Sequence, residues 1–304
     1  MPKIAVIGDV HSFWTDFDTQ YFNNSDYEYL LFTGDLPRFF GGISDAKKLA
    51  CLSKPVFVIP GNHDGSNLKQ FMAELKNKPM LSHLFGRGQD KIMQSYDDAL
   101  GMATLSGYST HSLPEFGPDV SLIAARPHSM GGDRLYFQSY LKRQFQVSTI
   151  EESIIRLKKL VDESAQSIIF LAHNGPRGLG DKASDIWGCD FNTAYGDFGD
   201  EDLRVAVAYA KEQGKQVLAV IAGHMHQRLK KTKQRRQWFI FRNGISYINA
   251  AHVPRIFNQD EKKWHHHISL QFEKGQVNVT EILVTPQGDV RTKTMERPEL
   301  DYST

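Results

Sequence analysis

Five short polar motifs carry the side chains able to do chemistry in this 304-residue chain: Asp9-Val-His11, Gly34-Asp35, Gly61-Asn62-His63-Asp64, Ala172-His173-Asn174 and Gly223-His224-Met225-His226. Their carboxylates, imidazoles and amide are oxygen and nitrogen donors, with no thiolate among them. Such a set excludes a thiolate zinc site and disfavours an all-oxygen calcium site. It suits Mn, Fe, Zn or Co, the choice resting on geometry and supply. Asp9 and His11 are two residues apart, as are His224 and His226. In extended backbone both members of such a pair point to one side, so each pair can grip one ion or bracket two. Any one motif alone reads as an ordinary turn after a strand, where Asp, Asn and Gly are common. Their repetition is what points to a metal centre.

The elements that must position these residues lie just upstream. Each motif follows an apolar run: Ile4-Ala-Val-Ile7, Tyr29-Leu-Leu-Phe32, Val56-Phe-Val-Ile59, Ile168-Ile-Phe-Leu171 and Val217-Leu-Ala-Val-Ile221. Short Val- and Ile-rich runs closed by Gly or Pro read as buried strands. In open α/β architectures, ligands collect at the C-terminal ends of strands. Residues 43–52 and 67–75 have helical patterns between strands ending near Asp35, Ile59 and Leu105, so a largely parallel, sandwiched sheet is expected. Thr149 and Glu152 form a capping box for a helix with Ile150, Ile154, Leu157 and Val161 on one face. A second helix is expected over 201–213, with Asp200 as N-cap and Gly214 past its end.

The last third alternates apolar and polar residues over 245–251, 268–272 and 277–284, with 273–276 as a hairpin turn. An antiparallel region is expected there, as a second sheet packed on the first. A single domain over 1–285 with a polar, mobile tail over 286–304 follows. Residues 175–199 hold six glycines and no helical or strand period. Loops beyond roughly 12–15 residues are usually functional, and this one begins two residues after His173, so a lid is expected.

Composition narrows the function classes. Thirty-six basic residues against 35 acidic ones give a net charge of +1, so no global field favours DNA or a membrane. No apolar run is long enough to cross a bilayer. A first strand is expected from Lys3, so no signal peptide is expected. Cys51 and Cys189 lack CxxC spacing and read as reduced thiols. A cytoplasmic location is the expectation.

The order D-x-H, GD, GNHD, lone H and GHxH resembles the calcineurin-like metallophosphoesterases, over residues 9–226. The resemblance implies an α/β fold, a four-layer α/β/β/α sandwich of two mixed sheets with a dinuclear site between them. It implies that Asp9, His11 and His226 hold one metal, that Asn62, His173 and His224 hold the second, and that Asp35 bridges both. It places a catalytic histidine at His63, oriented by Asp64. The cofactors expected are two ions, Mn, Fe or Zn. The reaction implied is hydrolysis of a phosphomonoester or phosphodiester, in which a metal-bridging hydroxide attacks phosphorus and His63 protonates the departing alcohol. After Gly34-Asp35 the chain reads Leu-Pro-Arg38, not Asp-Arg-Gly, and Asp64 replaces a Glu. Both departures argue against the Ser/Thr protein phosphatase branch. The 173–178 and 248–255 segments fit a less studied subgroup.

Arg38, Arg177 and Asn249 are the candidates for binding the phosphate-ester substrate: Arg38 could clamp a phosphate bidentately, Arg177 starts the expected lid, and Asn249 ends a strand after the GHxH element. Asp181, Asp185, Asp190 and Asp197 read as turn and solubility residues. Lys230-Lys231-Thr-Lys233-Gln-Arg235-Arg236 with Trp238 and Phe239 could track nucleic acid, which would suit a nuclease or cyclic nucleotide phosphodiesterase. A charged edge strand is the favoured reading of that stretch. His265-His266-His267 reads as surface chemistry. A non-catalytic scaffold with the same fold is the rival from another class.

Overall fold

The computed structural model describes residues 1–273 and 275–296. Two sheets carry the chain. The first holds β1 (Lys3–Ile7), β2 (Tyr29–Phe32), β3 (Val56–Val58) and β4 (Thr104–Leu105), all parallel. The second holds β5 (Ser109–Ser112), β6 (Val120–Ala124), β7 (Ser167–Leu171), β8 (Gln216–Ala222), β9 (Phe239–Arg242) and β10 (Ile245–Asn249). There β6, β7, β8 and β10 run parallel, flanked by antiparallel β5 and β9. All five strands expected upstream of the polar motifs are present, as β1, β2, β3, β7 and β8.

The antiparallel region does not form a sheet of its own. β10 joins the second sheet, whereas β11 (Ile256–Gln259), β12 (Lys262–Glu273), β13 (Gln276–Val284) and β14 (Val290–Thr294) extend the first, through β12 against β1. Alternating apolar residues need only a sheet edge to pair with, and β1 offers one. β14 also corrects the expectation of a mobile tail from residue 286, because it pairs with β13 as far as Thr294. Glu273 pairs with Gln276 across the expected turn, and Gly275 takes φ 73°. Lys274 and the tail over 297–304 lie outside the described residues.

Period-2 alternation sends one face of each strand to the other sheet. Val6, Leu31 and Ile59 cluster with Leu122, Ile169, Leu171 and Ile221 between the sheets. The opposite faces, through Ile7, Phe32, Val58, Phe170 and Val220, pack under helices. Those helices include α1 (Asp16–Asn23), α2 (Ile43–Leu49) and α5 (Gln89–Leu100), with α3 (Leu68–Leu75) reaching the layer through Phe71 and α4 (Pro79–Phe85) packed on α3. They continue with α6 (Gln138–Phe145), α7 (Ile150–Glu163) and α8 (Glu201–Glu212). Phe22, Leu49 and Tyr96 serve the first sheet; Leu157, Val161, Leu203 and Ala206 serve the second. The expected α/β/β/α layering results, each buried aliphatic contributing about 1.5–3 kcal/mol. Among the described residues no helix is long and apolar enough to cross a membrane. Thr149 caps α7 by accepting from Glu152 N–H at 3.2 Å, and Gly214 follows α8 at φ 72°.

The three consecutive histidines are not surface groups. His265, His266 and His267 are all buried in β12. Their alternation is as expected for a strand: His265 donates to Asp18 Oδ1 at 2.9 Å and His267 pairs with Tyr27 Oη at 2.9 Å, while His266 meets Glu281 at 3.1 Å. Asp18 is the hub. Its Oδ2 caps α1 through Thr15 N–H at 2.8 Å, and its Oδ1 also accepts from Arg255 Nη1 at 2.9 Å. Burial would raise the Asp18 carboxyl, but Arg255 and His265 hold it well below the usual carboxylate range.

Asp18→Ala strands a buried guanidinium, so a loss of about 3–5 kcal/mol is expected in urea denaturation at pH 7. Because the folded pKa is depressed, that contribution is complete above the unfolded value of about 3.9 and fades as pH falls below it. The gap between wild type and variant should therefore shrink on acidification. A gap constant across that range would contradict the assignment.

Candidate metal centre

The motif loops from both sheets meet. Asp9, His11 and His226 form one group whose ligating atoms lie within 4.8 Å of one another, and Asp35, His173 and His224 form another. Within the first, His11 Nε2 is 3.1 Å from His226 Nε2, and His226 Nε2 is 3.6 Å from Asp9 Oδ2. Within the second, His173 Nε2 is 3.0 Å from Asn62 Oδ1 and 3.2 Å from His224 Nδ1. Asp35 connects them. Its Oδ2 lies 3.9 Å from His11 Nε2 and 3.6 Å from His173 Nε2, while its Oδ1 accepts from His63 N–H at 2.9 Å.

Backbone carbonyls fix three of the imidazoles. His173 Nδ1 donates to Thr33 O at 2.6 Å, His11 Nδ1 to Pro37 O at 3.3 Å and His224 Nε2 to Met130 O at 3.1 Å. A ring that donates through one nitrogen presents a lone pair at the other. Lone pairs of His173, His224 and Asn62 then converge, and the His11 lone pair points at His226 Nε2, 3.1 Å away. Mutual repulsion of that kind is relieved by a cation between the atoms, so the donor set fits two metal ions.

The electrostatics agree. Burial would push His173 down, but Asp35 and Asp9 raise it, so the site favours positive charge there. Burial drives His224 far below the usual histidine value and His226 to about 3, leaving both neutral. Asp35 would be raised by burial, yet His173, His63 and His11 hold it below the carboxylate range. Burial raises Asp9, and Asp35 adds to the push while His173 opposes it.

Local sequence explains how the loops come so close. Asp9, His11, Asp35 and His224 all adopt left-handed backbone, with φ of 31°, 45°, 50° and 65°. Such conformations cost of order 1–3 kcal/mol each for non-glycine residues and persist where surroundings over-determine them. Here His224 N–H donates to both Asp9 carboxylate oxygens, at 3.1 and 3.0 Å. Two glycines are required outright. A Cβ on Gly61 would sit 2.3 Å from Asp35 Oδ1, and one on Gly223 would sit 2.1 Å from Asp9 Oδ1.

His63 borders the cavity over the two groups, its Nδ1 against Phe39 O and its ring stacked 5.2 Å from Phe40. Asp64 does not orient it. The Asp64 carboxylate instead accepts from Asp35 N–H at 2.7 Å, Gly61 N–H at 2.8 Å, Leu36 N–H at 3.1 Å and Tyr96 Oη at 3.1 Å. It braces the Asp35 loop. Burial, with Asp35 nearby, pushes Asp64 up to about 7.

Of the substrate candidates, only Arg177 lines the cavity, and it pairs with Asp133. Arg38 is exposed, its guanidinium 5.5 Å from the Phe39 ring and away from the cavity lining. Asn249 is fully buried. It donates to Met225 O at 2.7 Å and Ile186 O at 3.0 Å and accepts from Ala251 N–H at 3.0 Å, so it sets the His224–His226 turn and has no atom left for substrate.

The 230–236 stretch is no edge strand, because β9 begins only at Phe239. Arg236 is buried, donating to Asp185 O at 2.7 Å and facing Asp190 at 3.4 Å. Trp238 and Phe239 are buried too, so they cannot stack on bases. Arg236 and Asn249 together tie down the 175–199 segment, whose Ile186, Trp187 and Cys189 are core residues. That segment is an anchored wall and not a free lid. Asp185 and Asp197 accept backbone N–H groups as turn residues, but Asp190 is buried against Arg236. Sequence reasoning missed the 128–136 segment, which supplies Met130 and part of the cavity lining. It follows β6, so the same strand-end rule finds it.

Asp64→Asn should weaken Mn²⁺ binding about 10–100-fold, the usual effect of removing a support behind a ligand. Titration calorimetry reads this. Unchanged affinity with impaired turnover would return Asp64 to the role of orienting His63.

A comparison with curated protein sequences returns no significant match. Among solved structures, the chain is similar to Vps29 from Chaetomium thermophilum, at 7% identity and TM-score 0.35, covering 97% of each chain. It is similar also to a conserved uncharacterized protein, a predicted phosphoesterase, from Streptococcus pneumoniae TIGR4, at 9% identity and TM-score 0.34, again covering 97% of each chain. The family model for calcineurin-like phosphoesterases matches residues 2–228, three-quarters of the sequence and every residue of both ligand groups. The chain belongs to the calcineurin-like phosphoesterase family.

Proposed function

We propose that the protein is a dinuclear metal-dependent phosphoesterase acting on phosphomonoesters or phosphodiesters. The observation that carries this reading is the convergence of two ligand groups, with Asp35 Oδ2 facing both, on the floor of a cavity of about 860 Å³. Asp9, His11 and His226 would hold one ion, Asn62, His173 and His224 the other, and Asp35 would touch both; Mn, Fe or Zn suit these donors. Bound ions supply positive charge for phosphate oxygens and lower the pKa of a coordinated water.

The remaining work falls to the chain. Asn62 contributes a neutral ligand, so the site keeps more positive charge than a carboxylate there would leave. Phe39 O accepts from Nδ1–H and the Phe40 ring stacks on the His63 ring, so in the imidazolium form Nε2–H is the proton that can pass to the leaving oxygen, leaving a neutral ring with Nδ1–H retained. The buried Asp64 carboxylate keeps the Asp35 backbone in register with Gly61. The 175–199 and 128–136 segments form the walls of the cavity in which the ester would sit.

With Mn²⁺ supplied, the wild type should hydrolyse nitrophenyl phosphate or its bis-ester, and Asp35→Asn should remove the activity. His63→Ala should slow alkyl esters by about 10²–10⁴-fold, the span of general acid catalysis. Nitrophenyl esters, whose leaving group departs without a proton, should slow much less. Equal slowing of both ester types would show that His63 is not the acid. Metal binding without hydrolysis of any ester would favour a non-catalytic scaffold.

A further inference from the structure

A phosphoryl group alone does not need about 860 Å³. Cavities of roughly 300–1,000 Å³ enclose whole organic molecules. The 175–199 segment gives this one an aromatic wall of Phe191, Tyr195 and Phe198. The Tyr195 and Phe198 rings are stacked at 6.0 Å and 20°, and Phe191 meets Phe198 edge-on at 5.2 Å and 89°. Phe191 and Tyr195 nevertheless remain 44% and 57% exposed. Ring surface left exposed inside a cavity keeps apolar area in water that another planar ring would cover. Lys230 Nζ stands 5.3 Å over the Phe191 ring and borders the same space, adding a cation beside the aromatic surface.

This wall is fixed relative to the ligand groups. Phe198 O accepts from Gly132 N–H at 3.0 Å and from Asn174 Nδ2 at 2.9 Å. Asn174 follows His173 in the chain, and Gly132 lies two residues beyond Met130, whose carbonyl holds His224. A ligand spanning ring wall and metal site would therefore meet a preformed spacing.

Resting on the phosphoesterase reading, we propose that the site takes a phosphoester whose organic part carries a planar aromatic ring, stacked on Tyr195 and met edge-on by Phe191, whose ring lies at 70° to that of Tyr195. Nucleotides and simple aryl phosphates share that chemistry and differ in reach. Adenosine 5′-monophosphate sets its base a ribose away from the phosphate, whereas nitrophenyl phosphate carries its ring on the ester oxygen.

The test compares kcat/KM for these two esters and for ringless glycerol 2-phosphate, in Mn²⁺-loaded wild type, Phe191→Ala and Tyr195→Ala. Both rings are exposed, so the variants should fold. The wild type should prefer a ring-bearing ester to glycerol 2-phosphate, and each variant should reduce that preference about 10-fold, as for loss of one stacking partner. A loss confined to adenosine monophosphate identifies a nucleotide subsite; one confined to nitrophenyl phosphate identifies an aryl phosphate subsite. Equal use of all three esters, or a preference unchanged in both variants, overturns the proposal. Calorimetric binding of the same compounds separates the two readings. Tighter, Tyr195-dependent binding of a ring-bearing ester without hydrolysis keeps the subsite and overturns the phosphoesterase. Hydrolysis with no dependence on either ring does the reverse, and neither binding nor hydrolysis overturns the subsite.

Discussion

Asp35 is a buried carboxylate with one oxygen facing His11 of one ligand group and His173 of the other. Taking a carboxylate out of water costs several kcal/mol unless nearby positive charge offsets it. The imidazoles around Asp35 offset part of that cost, and proposed cations would offset the rest. Much of the neighbouring structure serves this placement: Asp64 grips the Asp35 N–H, His63 N–H grips Oδ1, and Gly61 clears the space a side chain would fill.

The two-sheet fold is the means of bringing such groups together. β1, β2 and β3 end on one side of the site, and β7 and β8 arrive from the other sheet. Because the sheets pack through Val6, Leu31, Ile169 and Ile221, the spacing of the loops is set by a close-packed apolar layer. Left-handed backbone at Asp9, His11, Asp35 and His224 then turns each side chain toward the centre. The ligand geometry depends on core packing more than on any loop alone.

Much of this was legible in the sequence because strand-ending motifs combine two signals, apolar runs and the residue types that follow them. The five strands and the converging set of ligand residues fall under that heading. The second layer of interactions was not legible. Asp64 neighbours His63 in the chain but its carboxylate turns to the Asp35 loop, a choice made by backbone N–H groups about 28 residues away. Asn249 resembled a substrate contact and is a buried brace. The three histidines of β12 looked polar enough for the surface, yet Asp18, Tyr27 and Glu281 satisfy them in the interior. Arg236 sat within a basic run and proved to anchor a loop. In each case the partner is distant in sequence, and local pattern carries no record of it.

The central claim is that Asp35 joins two cation sites into one centre. Anomalous diffraction from crystals of the Mn²⁺-loaded protein tests it most directly. The account predicts two peaks about 3.5–4 Å apart, the usual spacing of two-metal sites, with an Asp35 oxygen in contact with both. A single peak, or two peaks with Asp35 touching only one, would contradict it.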